Sequence, residues 1–368
     1  MFHLIKVLPS HTDPLFRMNS TNNTTAQSLY SFTAKIVLVS AYTIIFIIAL
    51  FGNSIGLYVA CAKANSRRIT NLLIKNSAIA DLIFTVTVMP YSVLFMFFEG
   101  NLWFGGTMGV IMCKVVFFAI PASIAASVTT MTVISLERFC AIFFPLNQAL
   151  FLKNKTITTI IWLFSTISMT PYLFIYQVFK EGEQYLCYQE WPWSDNLQDT
   201  FFALRTFHVI LFVLLYPLPL LIMTVVNCLV GHRLWLHKTP RSISSVNRTA
   251  LEVSRRKVVK MLVVLVVVFA LCWLPTHVNH YLIYFQPDVW HKMPIVVAHL
   301  MFLVSHANSA INPMLYIALN KNFRNAFLEA AGALVTSPVR AISACMTYIR
   351  REQPTPELYL ANERRTRL

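Results

Sequence analysis

The chain has 368 residues, of which 57% are hydrophobic and 12% are charged, and its formal net charge is +15. A soluble domain normally carries about a quarter charged residues, so the composition argues against a soluble globular protein and favours one that lies in lipid. The basic residues form no extended face, which argues against nucleic-acid binding.

Seven apolar runs are each long enough to cross a bilayer as a helix, which requires about 20 residues. Lys and Arg concentrate on one side of these runs, which predicts an extracellular N-terminus and a cytoplasmic C-terminus in a multi-pass plasma-membrane protein. The fold class predicted is an all-α bundle of seven transmembrane helices. The runs lie near 34–62, 70–98, 109–142, 157–178, 203–235, 255–285 and 293–318.

Four regions follow from this topology. Residues 1–33 are predicted to be a glycosylated extracellular N-terminus, because Asn19, Asn22 and Asn23 begin Asn-X-Ser/Thr acceptor sequences. Residues 34–318 form the bundle, 319–333 an amphipathic helix on the membrane surface, and 334–368 a disordered cytoplasmic tail. Tail residue Cys345 is a candidate for palmitoylation, although a tail cysteine is more often unmodified.

Asp81 lies inside the second predicted span, where an ionised carboxylate costs about 2.5–3.5 kcal/mol and needs partners. One interpretation is an oxygen-rich site for a monovalent cation such as sodium, and the other is an Asp that only joins helices through hydrogen bonds. Chemistry alone leaves both open. The candidate partners at similar depth are Asn53, Ser127, Asn308, Ser309 and Asn312.

Topology also sorts the seven cysteines. Only Cys113, at the outer start of the third span, and Cys187, in the second outer loop, face an oxidising compartment. They are therefore predicted to form a disulfide bond rather than two free thiols.

The third span ends in Glu137-Arg138-Phe139, which places two opposite charges side by side near the membrane boundary. Without further context, such a pair is best interpreted as an interfacial ion pair whose side chains extend to the headgroups.

The sixth and seventh spans carry aromatic and polar faces toward their outer ends, which is typical of a water-accessible cavity. For any single member, ordinary packing between helices is the simpler interpretation. His277 and His306 lack a third ligand at suitable spacing, so no metal site other than sodium at Asp81 is expected. The candidate cavity residues are His277, His280, Tyr281, Tyr284, His299, Phe302 and His306.

Taken in order, the motifs of the chain resemble those of rhodopsin-like (class A) G-protein-coupled receptors from about Phe51 to Phe327. Each motif is weak alone, but the ordered set is specific. It comprises Gly52-Asn53, Ala78-Ile-Ala-Asp81, Trp103-Phe104-Gly105, Cys113, Glu137-Arg138-Phe139, Trp162, Cys187, Pro219, Cys272-Trp273-Leu-Pro275 and Asn312-Pro313-Met-Leu-Tyr316.

The resemblance implies a receptor, not an enzyme, that shifts between two states and activates a heterotrimeric G protein through Glu137, Arg138 and Phe139. It implies further partners in arrestin and receptor kinases, besides the lipid bilayer. It also implies an activation switch formed by Phe269, Trp273, Pro275, Asn312, Pro313 and Tyr316. Asn227, where the family usually has Tyr, and Pro121 within the third span depart from the pattern, which puts the basal activity in doubt.

The ligand class is inferred from two residue types that the spans lack and from the acidic composition of the second outer loop. The third span has no carboxylate that would anchor an amine, and the seventh has no Lys for retinal. The second outer loop is acidic and resembles that of neuropeptide receptors of the neuropeptide Y, RFamide, galanin and orexin type. A basic or amidated peptide is therefore expected, with Glu99 and Glu190 as contacts for a cation. A lipid or small-molecule ligand, or a secondary transporter, are the alternatives.

Overall fold

The computed structural model describes residues 30–62, 69–98, 102–144, 154–193, 197–236, 245–319 and 321–336. Asn19, Asn22, Asn23, Glu99 and Cys345 lie outside these ranges. The helices are α1 Phe32–Ala62, α2 Ile69–Phe98, α3 Gly106–Phe143, α4 Asn154–Met169, α5 Tyr172–Ile175, α6 Leu197–Leu215, α7 Pro217–Leu236, α8 Ser245–Phe285, α9 Pro287–Lys292, α10 Ile295–His306, α11 Asn308–Leu319 and α12 Lys321–Thr336.

Seven helical stretches are long and apolar enough to cross a membrane, as the sequence predicted. We call them spans one to seven. They are Phe32–Cys61, Ile74–Phe98, Gly106–Phe143, Thr156–Ile175, Gln198–Leu234, Lys260–Phe285 and Ile295–Leu319.

The outer surface of the bundle is apolar, and several polar side chains are buried in its interior. Leu271 is 63% exposed on the outer surface of span six, whereas Asn53, Asp81 and Asn312 are buried between spans. Lipid solvates apolar side chains but offers no hydrogen bonds, so polar groups are satisfied only inside the bundle. The burial pattern therefore agrees with a membrane protein.

Proline explains where one span breaks and why another ends early. Span five is divided at Tyr216, because Pro217 begins α7 without an N–H group to continue α6. The fourth run was predicted to remain helical to residue 178. Instead α4 ends at Met169, just before Pro171, and the chain enters a strand at Tyr176.

A small antiparallel sheet that the sequence analysis did not predict covers one end of the bundle. Its strands are β1 Leu102–Trp103, β2 Tyr176–Glu181 and β3 Gln184–Gln189, in the order β1-β3-β2. The tight turn between β2 and β3 contains Gly182 at φ +58°, a conformation that glycine adopts without strain. We call this the hairpin end of the bundle.

The predicted disulfide between Cys113 and Cys187 is present and joins β3 to span three, with Cα atoms 6.1 Å apart. Both sulfur atoms are fully buried, and Cys187 is paired with Val178 across the hairpin. The bond therefore fixes the sheet over the space between the spans.

Helix α12, beyond span seven, matches the predicted amphipathic helix. Phe323 is buried and contacts the Tyr316 ring at 5.8 Å between ring centroids, while Ala326 and Ala330 are buried on the same face. Leu328 is exposed on the helix surface, where lipid can cover it.

Removal of the disulfide should destabilise the protein more than removal of a free thiol. The bond closes a loop with a sequence separation of 74 residues, so the Cys113→Ala/Cys187→Ala double variant should lose about 2–4 kcal/mol. Thermal unfolding of the detergent-solubilised protein measures this. Cys228→Ala is the matched control, because Cys228 is free and exposed. Equal melting temperatures for the double variant and the control would contradict the prediction.

Candidate functional site

A cavity with two adjacent lobes lies beneath the hairpin. The hairpin lobe, of about 50 Å³, is lined by residues that include Tyr91, Gln189, Phe302 and His306. The 5–6 lobe, of about 170 Å³, is lined mainly by spans five and six. Five residues line both lobes and form the wall between them: Pro121, Ile124, Tyr172, His208 and His280.

Most of the predicted ligand-site residues lie at this cavity. His277 and Tyr284 line the 5–6 lobe, Phe302 and His306 the hairpin lobe, and His280 both. Tyr281 also lines the 5–6 lobe, but its side chain is 54% exposed on the outside of the bundle.

His299 was predicted in the cavity, but it lines neither lobe. Its Nδ1 lies 3.1 Å from the Ile295 carbonyl, and the Tyr30 hydroxyl lies 2.9 Å from Nδ1 and 3.1 Å from Nε2. The Tyr30 hydroxyl therefore bonds to the His299 ring. His299 is fully buried and fixes the start of span one against span seven.

His208 is a central cavity residue that the sequence analysis missed. Its Nδ1 lies 2.8 Å from both the Leu204 carbonyl and the Tyr284 hydroxyl, and its Nε2 lies 3.2 Å from the same hydroxyl. Its ring also lies 6.0 Å from the ring of His280. His208 therefore couples spans five and six at the wall shared by the two lobes.

Gln189 was also missed, and it brings the hairpin into the cavity. Its Nε2 donates to the Tyr176 hydroxyl at 2.8 Å, while its buried Oε1 has no hydrogen-bond partner among the described residues. The alternation of side chains along a strand could have identified it, because Gln189 lies on the same face of β3 as Cys187.

The cavity and its rim differ in charge. None of the residues that line either lobe is Asp or Glu, and Arg205 alone carries a permanent positive charge. At the hairpin Glu181, Glu183 and Glu190 are exposed. Burial and the charges of Glu181 and Glu190 raise the pKa of Tyr188 to about 12. The rim is thus negative and the cavity below it largely uncharged.

Asp81 lies in a separate polar cluster deeper in the bundle. Its carboxylate accepts hydrogen bonds from Asn312 Nδ2 at 2.9 Å and from Ser127 Oγ at 3.3 Å, which links spans two, three and seven. A cavity of about 10 Å³, close to the space that one water occupies, adjoins Asp81, Ser127, Asn308 and Ser309. The buried Asn308 Oδ1 has no hydrogen-bond partner among the described residues.

Asn53 was expected to contact Asp81 but makes other bonds. Its Nδ2 donates to the carbonyls of Ala49 and Ser309, both at 2.9 Å. Asn53 therefore joins span one to span seven through the backbone.

Trp273 forms the floor of the 5–6 lobe. It also lines the small cavity beside Asp81. Its ring is 6.3 Å from that of Phe269 and 6.3 Å from that of Phe84. One turn away, the Tyr216 hydroxyl donates to the Ala270 carbonyl at 2.8 Å. The break in span five is therefore bonded to span six just before Pro275.

At the opposite end of the bundle, Arg138 Nε lies 2.9 Å from Glu137 Oε2, and both side chains are partly buried. The Phe139 ring stacks on Phe143 at 4.4 Å between ring centroids. Asn227 Nδ2 donates to Ser135 Oγ at 3.5 Å, which links span five to span three nearby.

Comparison with known proteins identifies the family. Residues 52–316 match the model of the 7 transmembrane receptor (rhodopsin family). The chain belongs to this family. It is therefore a G-protein-coupled receptor of the rhodopsin-like class, as its motifs indicated, and not an enzyme.

Several curated receptors are similar over most of the chain. The substance-P receptor of Mus musculus is 31% identical over 88% of this chain and 78% of its own length. The neuromedin-K receptor of Rattus norvegicus is 32% identical over 79% and 62%. The tachykinin-like peptides receptor 99D of Drosophila melanogaster is 31% identical over 76% and 54%. These names belong to the tachykinin group rather than to the four peptide groups that the sequence analysis mentioned.

Loss of the Tyr284 hydroxyl should loosen the wall shared by the two lobes. Tyr284→Phe removes the bond to His208 and should cost about 0.5–1.5 kcal/mol, measured by thermal unfolding of the purified receptor. Tyr281→Phe is the control, because Tyr281 is exposed in the same span. A double-mutant cycle with His208→Phe that showed no coupling would contradict the assignment.

Proposed function

We propose that this receptor binds an extracellular peptide in the cavity beneath the hairpin and in response activates a heterotrimeric G protein. The observation that carries the peptide assignment is the similarity to receptors whose names specify substance P, neuromedin K and tachykinin-like peptides. The cavity supports it, since the hairpin above it carries exposed residues, among them Glu181, Glu183 and Glu190, that a chain molecule can contact.

The proposed orientation places the hairpin end outside the cell and Arg138 in the cytoplasm. Two features support it. A disulfide such as Cys113–Cys187 forms in an oxidising compartment, and Lys and Arg concentrate in the segments on the Arg138 side.

The charge distribution suggests how a peptide lies in the site. The exposed acids Glu181, Glu183 and Glu190 attract a basic segment to the rim and raise the rate of association. The end that enters the hairpin lobe is uncharged, because a buried charge without a partner is costly and no Asp, Glu, Lys or Arg lines this lobe. An amidated C-terminus meets this requirement, whereas a free carboxylate does not.

Signal transfer follows from the links between cavity and polar cluster. A ligand changes the balance between two states only through its different affinity for them. We propose that the bound peptide moves Trp273 and that span six then bends at Pro275. The bonds of Asp81 to Asn312 and Ser127 rearrange, and Arg138 leaves Glu137 to contact the G protein.

A panel of matched peptides tests this function in cells that express the full chain. Amidated basic peptides should trigger G-protein activation, and the same peptides as free acids should be at least about tenfold weaker, because their carboxylate would be buried. Arg138→Ala should abolish activation while labelled peptide still binds. Activation by the Arg138→Ala variant equal to that of the native receptor would contradict the coupling role.

The two alternatives make different forecasts in the same cells. A lipid or small-molecule receptor would respond to lipid extracts and to none of the peptides. A secondary transporter would accumulate a substrate, and its uptake would not depend on a G protein. Either result would overturn the peptide assignment.

We further propose that a sodium ion binds beside Asp81 and favours the resting state. Six of the 12 residues that line the cavity of about 10 Å³ have oxygen-bearing side chains, and Asn308 Oδ1 has no other partner among the described residues. Asp81, Ser127, Asn308 and Ser309 would hold the ion, and Asn312 would position the carboxylate through its 2.9 Å bond. The ion would supply the positive charge that makes an ionised Asp81 tolerable.

Replacement of sodium by choline at constant ionic strength tests the site. The native receptor should bind an activating peptide about fivefold or more tightly without sodium, and Asp81→Asn should remove this dependence. Ser165→Ala is the control, because Ser165 is buried but bonds only within its own span. An unchanged sodium effect in Asp81→Asn would refute the proposal.

Arrestin and receptor kinases are proposed as further partners, as in the family. They would act on the cytoplasmic tail, whose residues lie outside those that the structure describes.

A further inference from the structure

The 5–6 lobe opens to the side of the bundle as well as toward the hairpin. Val209 and Phe212 of span five and Tyr281 and Phe285 of span six all line the lobe, yet each is between 40% and 54% exposed. Residues of two neighbouring spans that line the lobe and are also exposed on the outer surface indicate an opening between these spans. This mouth lies between two membrane spans, so it faces lipid rather than water.

Arg205 marks the outer edge of this mouth. It lies one helical turn before Val209, and its guanidinium carbon is 5.3 Å from the Phe285 ring centroid and 5.4 Å from that of Phe202. These contacts hold the planar group between spans five and six. Arg205 forms no ion pair with any described carboxylate, so its N–H groups can bind an anion.

The remainder of the lobe is suited to an apolar group. Of its 17 other lining residues, 13 are aliphatic, aromatic or proline, and the remaining four are Thr276, His208, His277 and His280. A volume of about 170 Å³ is similar to that of an apolar protein cavity that binds benzene. It admits one chain of a few carbons and is too small for a two-chain phospholipid.

We propose that the 5–6 lobe is a lateral binding site for a single-chain anionic amphiphile of the outer leaflet, such as a fatty acid. Its carboxylate binds the Arg205 guanidinium at headgroup depth, and its chain enters between Val209, Phe212 and Tyr281. Its lateral entrance between spans five and six is distinct from the hairpin end, and the proposal does not rest on the peptide assignment.

Photolabelling of the full-length receptor in zwitterionic phosphatidylcholine nanodiscs tests the site. The probe is a palmitate analogue with a diazirine within a few carbons of the carboxylate, the part of the chain that enters the lobe, and the matching alcohol differs only in lacking the charge. We expect saturable labelling of spans five and six by the acid, with the alcohol weaker by about tenfold or more. Equal labelling by acid and alcohol, or labels spread evenly over all spans, would overturn the proposal.

Three variants locate the contact. Arg205→Gln should weaken labelling by about tenfold, Arg205→Lys should keep the preference for the acid, and Val209→Trp should block the mouth. Unchanged labelling of a folded Arg205→Gln would refute the role of Arg205. If that variant does not fold, the comparison of acid with alcohol on the native receptor decides. Neither peptide nor G protein is needed, so failure here is separate from failure of the proposed function.

Competition identifies the lipid class. Unlabelled palmitate should displace the probe, whereas phosphatidylglycerol, which is anionic but has two chains, should not. Equal displacement by phosphatidylglycerol would show a general anionic lipid contact and would overturn the single-chain assignment.

Discussion

Asp81 is buried in the middle of the bundle, so its carboxylate depends on neighbouring side chains for hydrogen bonds. Asn312 and Ser127 supply two, and Asn53 connects span one to the same region through the Ser309 carbonyl. Polar bonds between membrane helices average only about 0.6 kcal/mol each. The bonds can therefore position the spans without locking them, which is what a receptor with two states requires.

The sequence predicted the structure best at residues that would be energetically unfavourable without a specific partner. An Asp in a membrane span and two cysteines in one oxidising compartment leave few options, and Asp81 and Cys113–Cys187 are found as expected. The sequence was less informative where several partners were equally plausible. Asn53 faces the right region but bonds to backbone, and His299 bonds to Tyr30 at the start of span one.

Other features could not be read from helical periodicity because they depend on breaks in it. The hairpin begins at Tyr176 inside a run that reads as continuous apolar helix, and its return strand brings Gln189 over the cavity. His208 is one of several polar residues in span five, and its importance appears only once Tyr284 lies opposite. Such placements arise from packing between distant segments, which a local pattern does not contain.

The wall shared by the two lobes has a thermodynamic consequence. His208 and His280 line both, so a group that fixes them from one side changes the cost of binding on the other. Such coupling is reciprocal: if an amphiphile in the 5–6 lobe alters the affinity for a peptide, the peptide alters the affinity for the amphiphile by the same factor. Because Trp273 forms the floor of the 5–6 lobe and also borders the cluster around Asp81, the amphiphile acts directly on the proposed switch. The surrounding lipid then acts as a ligand that shifts the equilibrium between the two receptor states, in addition to being the solvent of the receptor.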